Sequence, residues 1–304
     1  MTLYLDHRRR LLPMKDMTHP VVSLVRGSAL CVPLCFGLST VAPAVYAQPQ
    51  GVTRGGAHAA SVGATTPKTD GVPEWSDQNC LDMVGDDPFG ARDYAQDWIK
   101  RDGGRSARHC LALALVELGD EQEAAQELDD LARKEPFVGQ ESAPSQRVVI
   151  AIEAARAWLA ANQPTNAISI AEYGLTLKPG SEGLTLVKAR AQLELNDPDG
   201  VIRDVGALVA HSPDVGTDAY VLLASAERRR GKLQQAAVHI AKAIDRAPES
   251  PSALLERGII RGQAGDAVGA RQDWQKVLDL APDTHEADMA RQDLAVQAAD
   301  PDVP

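Results

Sequence analysis

Two stretches near the end of the chain carry one pattern: GKLQQAAVHIAKAIDRAPES at residues 231–250 and GDAVGARQDWQKVLDLAPDT at residues 265–284. Superimposed, Gly231 falls on Gly265, Ala236 on Ala270 and Pro248 on Pro282, each 34 residues apart. An interval of that size marks a repeated supersecondary unit, and the interval can be followed backwards. Prolines stand at Pro136, Pro179, Pro213, Pro248 and Pro282, each after an apolar helical stretch, where a helix stops. The first interval is longer and holds FVGQESAPS, read as an inserted loop.

Twelve residues before the prolines come Ala124, Ala167, Val201, Ala236 and Ala270. Twelve earlier again come Ala112, Ala155, Ala189, Ala224 and Gly258. Small side chains at two fixed points let two antiparallel helices cross closely. Between them a breaker recurs at Gly119, Asn162, Asn196, Gly231 and Gly265, the residue types that end a helix in a left-handed turn.

This register resembles the tetratricopeptide repeat. The last unit, PSALLERGIIRGQAGDAVGARQDWQKVLDLAPDT, carries it best: Leu254, Gly258, Gly265, Ala270, Trp274 and Pro282 stand at the family's positions. The resemblance spans about residues 105–284. It departs in the first helices, where the family favours leucine and tyrosine and this chain has Lys188, Gln192, Arg257 and Arg261. The expected fold is all-α: a right-handed α-solenoid of five to six antiparallel helix pairs. One pair cannot bury its apolar face alone, whereas stacked copies share a continuous core. The expected units are 105–138, 148–181, 182–215, 217–250 and 251–284, preceded by a degenerate unit at 74–104. A polar capping helix at 285–298 closes the repeat domain, 74–298, and 299–304 form an acidic tail that frays.

The first 47 residues read as an export signal. A basic segment ends at Arg26, the apolar run ALCVPLCFGLSTVAPAV follows, and Val45 and Ala47 offer small residues for cleavage before Gln48. Residues 17–47 alone form a complete signal, so Met17 is an alternative start. The expected location is the periplasm or the exterior; the alternative is a membrane anchor formed by an uncleaved signal. Residues 48–73 have almost no large apolar side chains and read as a disordered linker. Of four cysteines, Cys31 and Cys35 lie in the signal. Cys80 and Cys110 remain, an even pair that reads as one disulfide in an exported chain, the alternative being two buried thiols.

The 304 residues carry a net charge of −11; without the first 47 there remain 26 basic and 40 acidic residues, about −14. So acidic a surface argues against nucleic-acid binding, which needs lysine and arginine to displace counterions. Nothing points to a cofactor or a metal. HEADM at 285–289 has a methionine where a zinc helix needs its second histidine. NDPDG at 196–200 lacks the bidentate glutamate of a calcium loop. No glycine-rich phosphate loop or nucleophile elbow is present, so the chain reads as a non-enzyme.

What the resemblance implies about a site is positional. In this family the first helices line a concave groove, and the second, fifth, ninth, twelfth and thirteenth positions of each unit face into it. Counted from Arg105, Val148, Glu182, Thr217 and Pro251, these positions give an apolar strip of Ile152, Leu186, Val221 and Leu255. Beside it stand Arg156, Arg190 and Arg228, with Arg229 adjacent. Arginine's planar fork grips carboxylates, so the expected partner is a protein or peptide segment, acidic or ending in a free carboxylate. The competing reading is that these arginines answer acidic residues of neighbouring helices. The lysine-and-asparagine clamp of the family's chaperone-binding branch is absent from this pattern. Two functions remain open: a scaffold or adaptor in the cell envelope, or a dedicated accessory subunit or chaperone of one envelope enzyme or secretion complex.

Overall fold

A computed structural model of the chain describes residues 75–134, 143–212 and 214–299. The expected signal, the linker, Pro136, Pro213 and most of the tail lie outside the described residues.

Thirteen α-helices and no strands make up the described residues. They fall into six pairs: α1 Asp77–Asp86 with α2 Pro88–Ile99, α3 Gly104–Leu118 with α4 Glu121–Arg133, and α5 Ala143–Ala160 with α6 Pro164–Leu177. Then come α7 Glu182–Glu194 with α8 Pro198–His211, α9 Thr217–Arg229 with α10 Leu233–Arg246, and α11 Pro251–Gln263 with α12 Ala267–Leu280. A single helix, α13 His285–Ala298, ends the array. The chain is an all-α solenoid.

Five of the six pairs turn on a residue with positive φ. Gly119 (83°), Asn162 (56°), Asn196 (57°), Gly231 (72°) and Gly265 (90°) are the five breakers of the sequence, all left-handed. Asparagine tolerates that region better than other side chains, which is why it stands in for glycine twice. Two of the second helices after these turns, α8 and α12, start on an aspartate cap. The Asp197 and Asp266 carboxylates each accept a 2.9 Å bond from the backbone of Gly200 and Gly269. NDPDG is therefore a helix start, built as DAVG is two units later.

The ten small residues pack as their spacing demands. Ala112, Ala155, Ala189 and Ala224 are fully buried, as are Ala124, Ala167, Val201, Ala236 and Ala270. Gly258 differs for a visible reason. A methyl group there would lie 2.4 Å from Trp274 Nε1. Trp274 occupies the place that Leu128, Val205 and Ile240 hold in other units, so the larger ring requires the smaller partner.

One expectation fails locally. The insertion FVGQESAPS is not loop throughout, because Ala143 to Ser145 already belong to α5. Pro144 sits in the first turn, where a missing N–H costs nothing.

First helices of successive units touch one another: α1 with α3, α5 with α7, α7 with α9, α9 with α11, and α11 with α13. Second helices meet chiefly the first helices on either side. Closer approach on one side puts the first helices on the inner side of the stack. The core follows, as four apolar clusters in succession along the array.

Candidate interaction surface

The inner face is built from α3, α5, α7, α9 and α11. Ile152, Leu186, Val221 and Leu255 lie on four consecutive first helices, three of them half-buried and Leu186 nearly buried. Beside them Val149 is 53% exposed, too much for an ordinary core residue. Below Val149, a cavity of about 290 Å³ opens between α3 and α5, lined by His109, Gln146 and Ile150, with Asp77 of α1 at its edge. His109 Nε2 lies 2.7 Å from the Glu153 carboxylate, joining those two helices.

The four arginines have different fates. Arg190 reaches Asp218 of α9 at 2.5 Å. Arg228 is bound to Glu256 of α11 through 2.5 and 3.3 Å contacts, both side chains largely out of water. Arg229 donates to the Leu193 carbonyl of α7 at 2.8 Å. Arg156 is exposed and has no ion pair or hydrogen bond with any described residue. The stack thus joins Arg190, Arg228 and Arg229 to neighbouring units and leaves Arg156 open to solvent.

The polar residues that departed from the family pattern also find partners. Gln192 donates to Asp204 at 3.0 Å, and Arg261 to Asp273 at 2.8 Å. Between those units, His239 and Glu227 lie 2.7 Å apart. All three pairs join the eleventh position of a unit to its twenty-third, twelve residues on. They form one recurrent clasp between first and second helix, with its polarity inverted in the middle unit. Arg257 completes the last clasp with bonds of 2.9 and 2.5 Å to Asp273, which is almost fully buried. Lys188 completes the first through Glu172 (3.0 Å) and Asp204 (3.1 Å). Burial alone would push the Lys188 ammonium down, but the two carboxylates outweigh it and hold it above its ordinary value. Burial would likewise raise Asp204; hydrogen bonds from Arg203, Gln192 and Lys188 bring it below the usual carboxylate range.

The sequence reading passed over Glu194. It stands at the thirteenth, inward position of its unit, and burial pushes its carboxyl up to about 7. Its place in the register was available as a signal; its desolvation was not.

Cys80 of α1 and Cys110 of α3 form a disulfide, with Cα atoms 5.8 Å apart. It ties the N-terminal helix to the next first helix, beside Ala95 and Trp98.

No family model and no curated protein matches the chain. Solved structures do. PilW, described as a widely conserved type IV pilus biogenesis factor, aligns with a TM-score of 0.56 at 17% identity, over 72% of this chain and 96% of its own. The pilF protein of Pseudomonas aeruginosa aligns at 0.53 and 11% identity, over 71% and 95%. This is the tetratricopeptide-repeat fold. MamA from Desulfovibrio magneticus RS-1 aligns at 0.44 and 20% identity, over 66% of this chain and 99% of its own. Within the tetratricopeptide array, no described helix is long and apolar enough to cross a membrane. Among the described residues, no group of three or more His, Cys, Asp or Glu side chains is placed to hold a metal ion.

Proposed function

We propose that this chain is a non-catalytic scaffold of the cell envelope that holds extended segments of partner proteins on the inner face of its repeats. One observation carries the reading: partly exposed apolar side chains, Val149, Ile152, Val221 and Leu255, on the inner face of α5, α9 and α11, with Leu186 of α7 nearly buried between them. Such a surface, open to solvent and with the exposed Arg156 beside it, suits an extended peptide backbone. The PilW and pilF likenesses support the fold on which the reading rests. The envelope location rests on the sequence of residues 1–47, together with a disulfide of the kind that oxidising compartments preserve.

Crosslinking pull-down from envelope extract tests it. Several substoichiometric partners, lost on Val149→Asp and Val221→Asp, are the expected result. One stoichiometric partner instead marks a dedicated accessory subunit. Partner capture unchanged by both inner-face substitutions refutes the use of this face. N-terminal sequencing of the mature chain should start at or near Gln48, and full-length protein in the cytosol removes the envelope part of the proposal.

A further inference from the structure

The geometry points to Arg156 as the specificity-determining cation of the inner face. It reads a carboxylate about three residues along an extended peptide from an apolar side chain seated between α3 and α5. This inference rests on the groove reading above and narrows it to one place and one partner chemistry.

The argument starts from the repeat register. Arg156 and Arg190 both occupy the ninth position of their units. Arg190 is neutralised by Asp218, the second residue of the following unit. The second residue of the unit that follows Arg156 is Gly183. The site of the counter-ion is therefore occupied by a residue without a side chain. Gly183 does lie against α5: a methyl group added to it would come 2.8 Å from Ile152 Cδ1, one turn before Arg156. Among the described residues, the Arg156 guanidinium has no counter-ion, on a face where its homologue one unit on is matched.

The rest of the site is on the same helix. Val149, Ile152 and Arg156 share one face of α5, since seven residues make almost two full turns. Val149 borders the cavity of about 290 Å³ shared with His109 and Gln146. That is at the low end for small-molecule pockets and suits one or two side chains. From Val149 to Arg156 the helix rises about 10 Å. An extended peptide covers that distance in about three residues. Charge sets the order of the two groups. Asp77 lines the cavity and Glu153 is bound to its His109, while the one cation of the lining, Arg105, donates to the Leu131 carbonyl at 3.1 Å. The two acids disfavour a further carboxylate there, while Arg156 attracts one. The occupant is an extended peptide with an apolar side chain and, three residues away, a carboxylate.

A peptide array tests this on the purified mature chain. Each peptide holds one leucine and one aspartate in a serine-glycine background, with zero to six residues between them, in both orders. Binding should peak at two intervening residues and fall about tenfold when aspartate becomes asparagine. Arg156→Ala should remove the same tenfold, and Arg156→Lys should restore part of it. Gly183→Asp, which supplies the missing counter-ion, should abolish the preference for aspartate over asparagine as Arg156→Ala does, whereas Gly183→Asn, of equal bulk and no charge, should keep that preference. Melting curves by circular dichroism identify any variant that fails to fold; Arg156→Ala should melt as the wild type does.

Wild-type binding that ignores the aspartate or its spacing overturns the inference, as does an array with no binder. Peptide binding indifferent to Arg156→Ala but weakened by Val149→Asp also overturns it while leaving the groove function standing. Binding indifferent to Val149→Asp as well defeats both.

Discussion

The clasp of the last unit offers the sharpest test of how these repeats are held. Asp273 is 4% exposed and accepts three hydrogen bonds, two from Arg257 and one from Arg261. Arg257→Leu leaves that carboxylate buried with half its support. Breaking a buried pair by removing one partner costs about 3–5 kcal/mol. The remaining Arg261 reduces this to about 2–3 kcal/mol. For an array of this size, each kcal/mol moves the midpoint by about 2–4 °C, so the expected loss is about 5–10 °C. Asp273→Leu should cost less, about 1–2 kcal/mol, because Arg257 and Arg261 are 25% and 36% exposed and turn to water. Replacing all three by leucine should return stability to within about 1 kcal/mol of the wild type, as exchange of buried ion networks for apolar packing does. Thermal and urea unfolding of the singles and the triple decide. A single Arg257→Leu within 1 °C of the wild type, or a triple as unstable as its singles summed, refutes the reasoning.

Other outcomes follow from the same structure. The raised carboxyl of Glu194 favours the protonated form in the fold, so its contribution is full below the ordinary glutamate range and lost as pH climbs through about 7. Glu194→Gln should therefore match the wild type near pH 4 and exceed it at pH 8; parallel pH profiles would remove the argument. Reducing Cys80–Cys110 opens a 30-residue loop and should cost about 3–4 kcal/mol, with α1 gaining hydrogen exchange first. Protection of α1 unchanged by dithiothreitol contradicts that. Gly258→Ala should destabilise the wild type through its clash with Trp274, yet stabilise a Trp274→Leu background, where only the helix preference of alanine remains. The same sign in both backgrounds rejects the volume exchange. Gly231→Ala, at φ 72°, should cost about 1 kcal/mol, measured by denaturation.

Backbone events were legible in the sequence because each depends on one residue type at one place. A left-handed turn needs glycine or asparagine, so Gly119, Asn162, Asn196, Gly231 and Gly265 announce themselves. Close helix crossing needs small side chains, so the alanine columns do as well. Pairing was less legible, because it depends on two positions read together. Lys188 and Arg257 looked like departures from a pattern until Asp204 and Asp273 were found at the matching place in the partner helix. Similarly, the second position of each unit, not the arginines themselves, separates Arg156 from Arg190. Start points such as that of α5 stayed hidden because an inserted segment has no counterpart in the other units.

The inverted clasp has a consequence for how the chain reaches its structure. Near-identical modules invite a translation error, in which a first helix embraces the second helix of the next module instead of its own. Were α9 to take α12 as its mate, Glu227 would face Asp273, two carboxylates in a site with little water. Were α11 to take α10, Arg261 would meet His239. These two mistaken embraces set acid against acid and base against base, whereas every correct one sets acid against base or amide. Alternating the polarity from module to module thus works as a parity check on assembly, one that a perfectly regular array would lack.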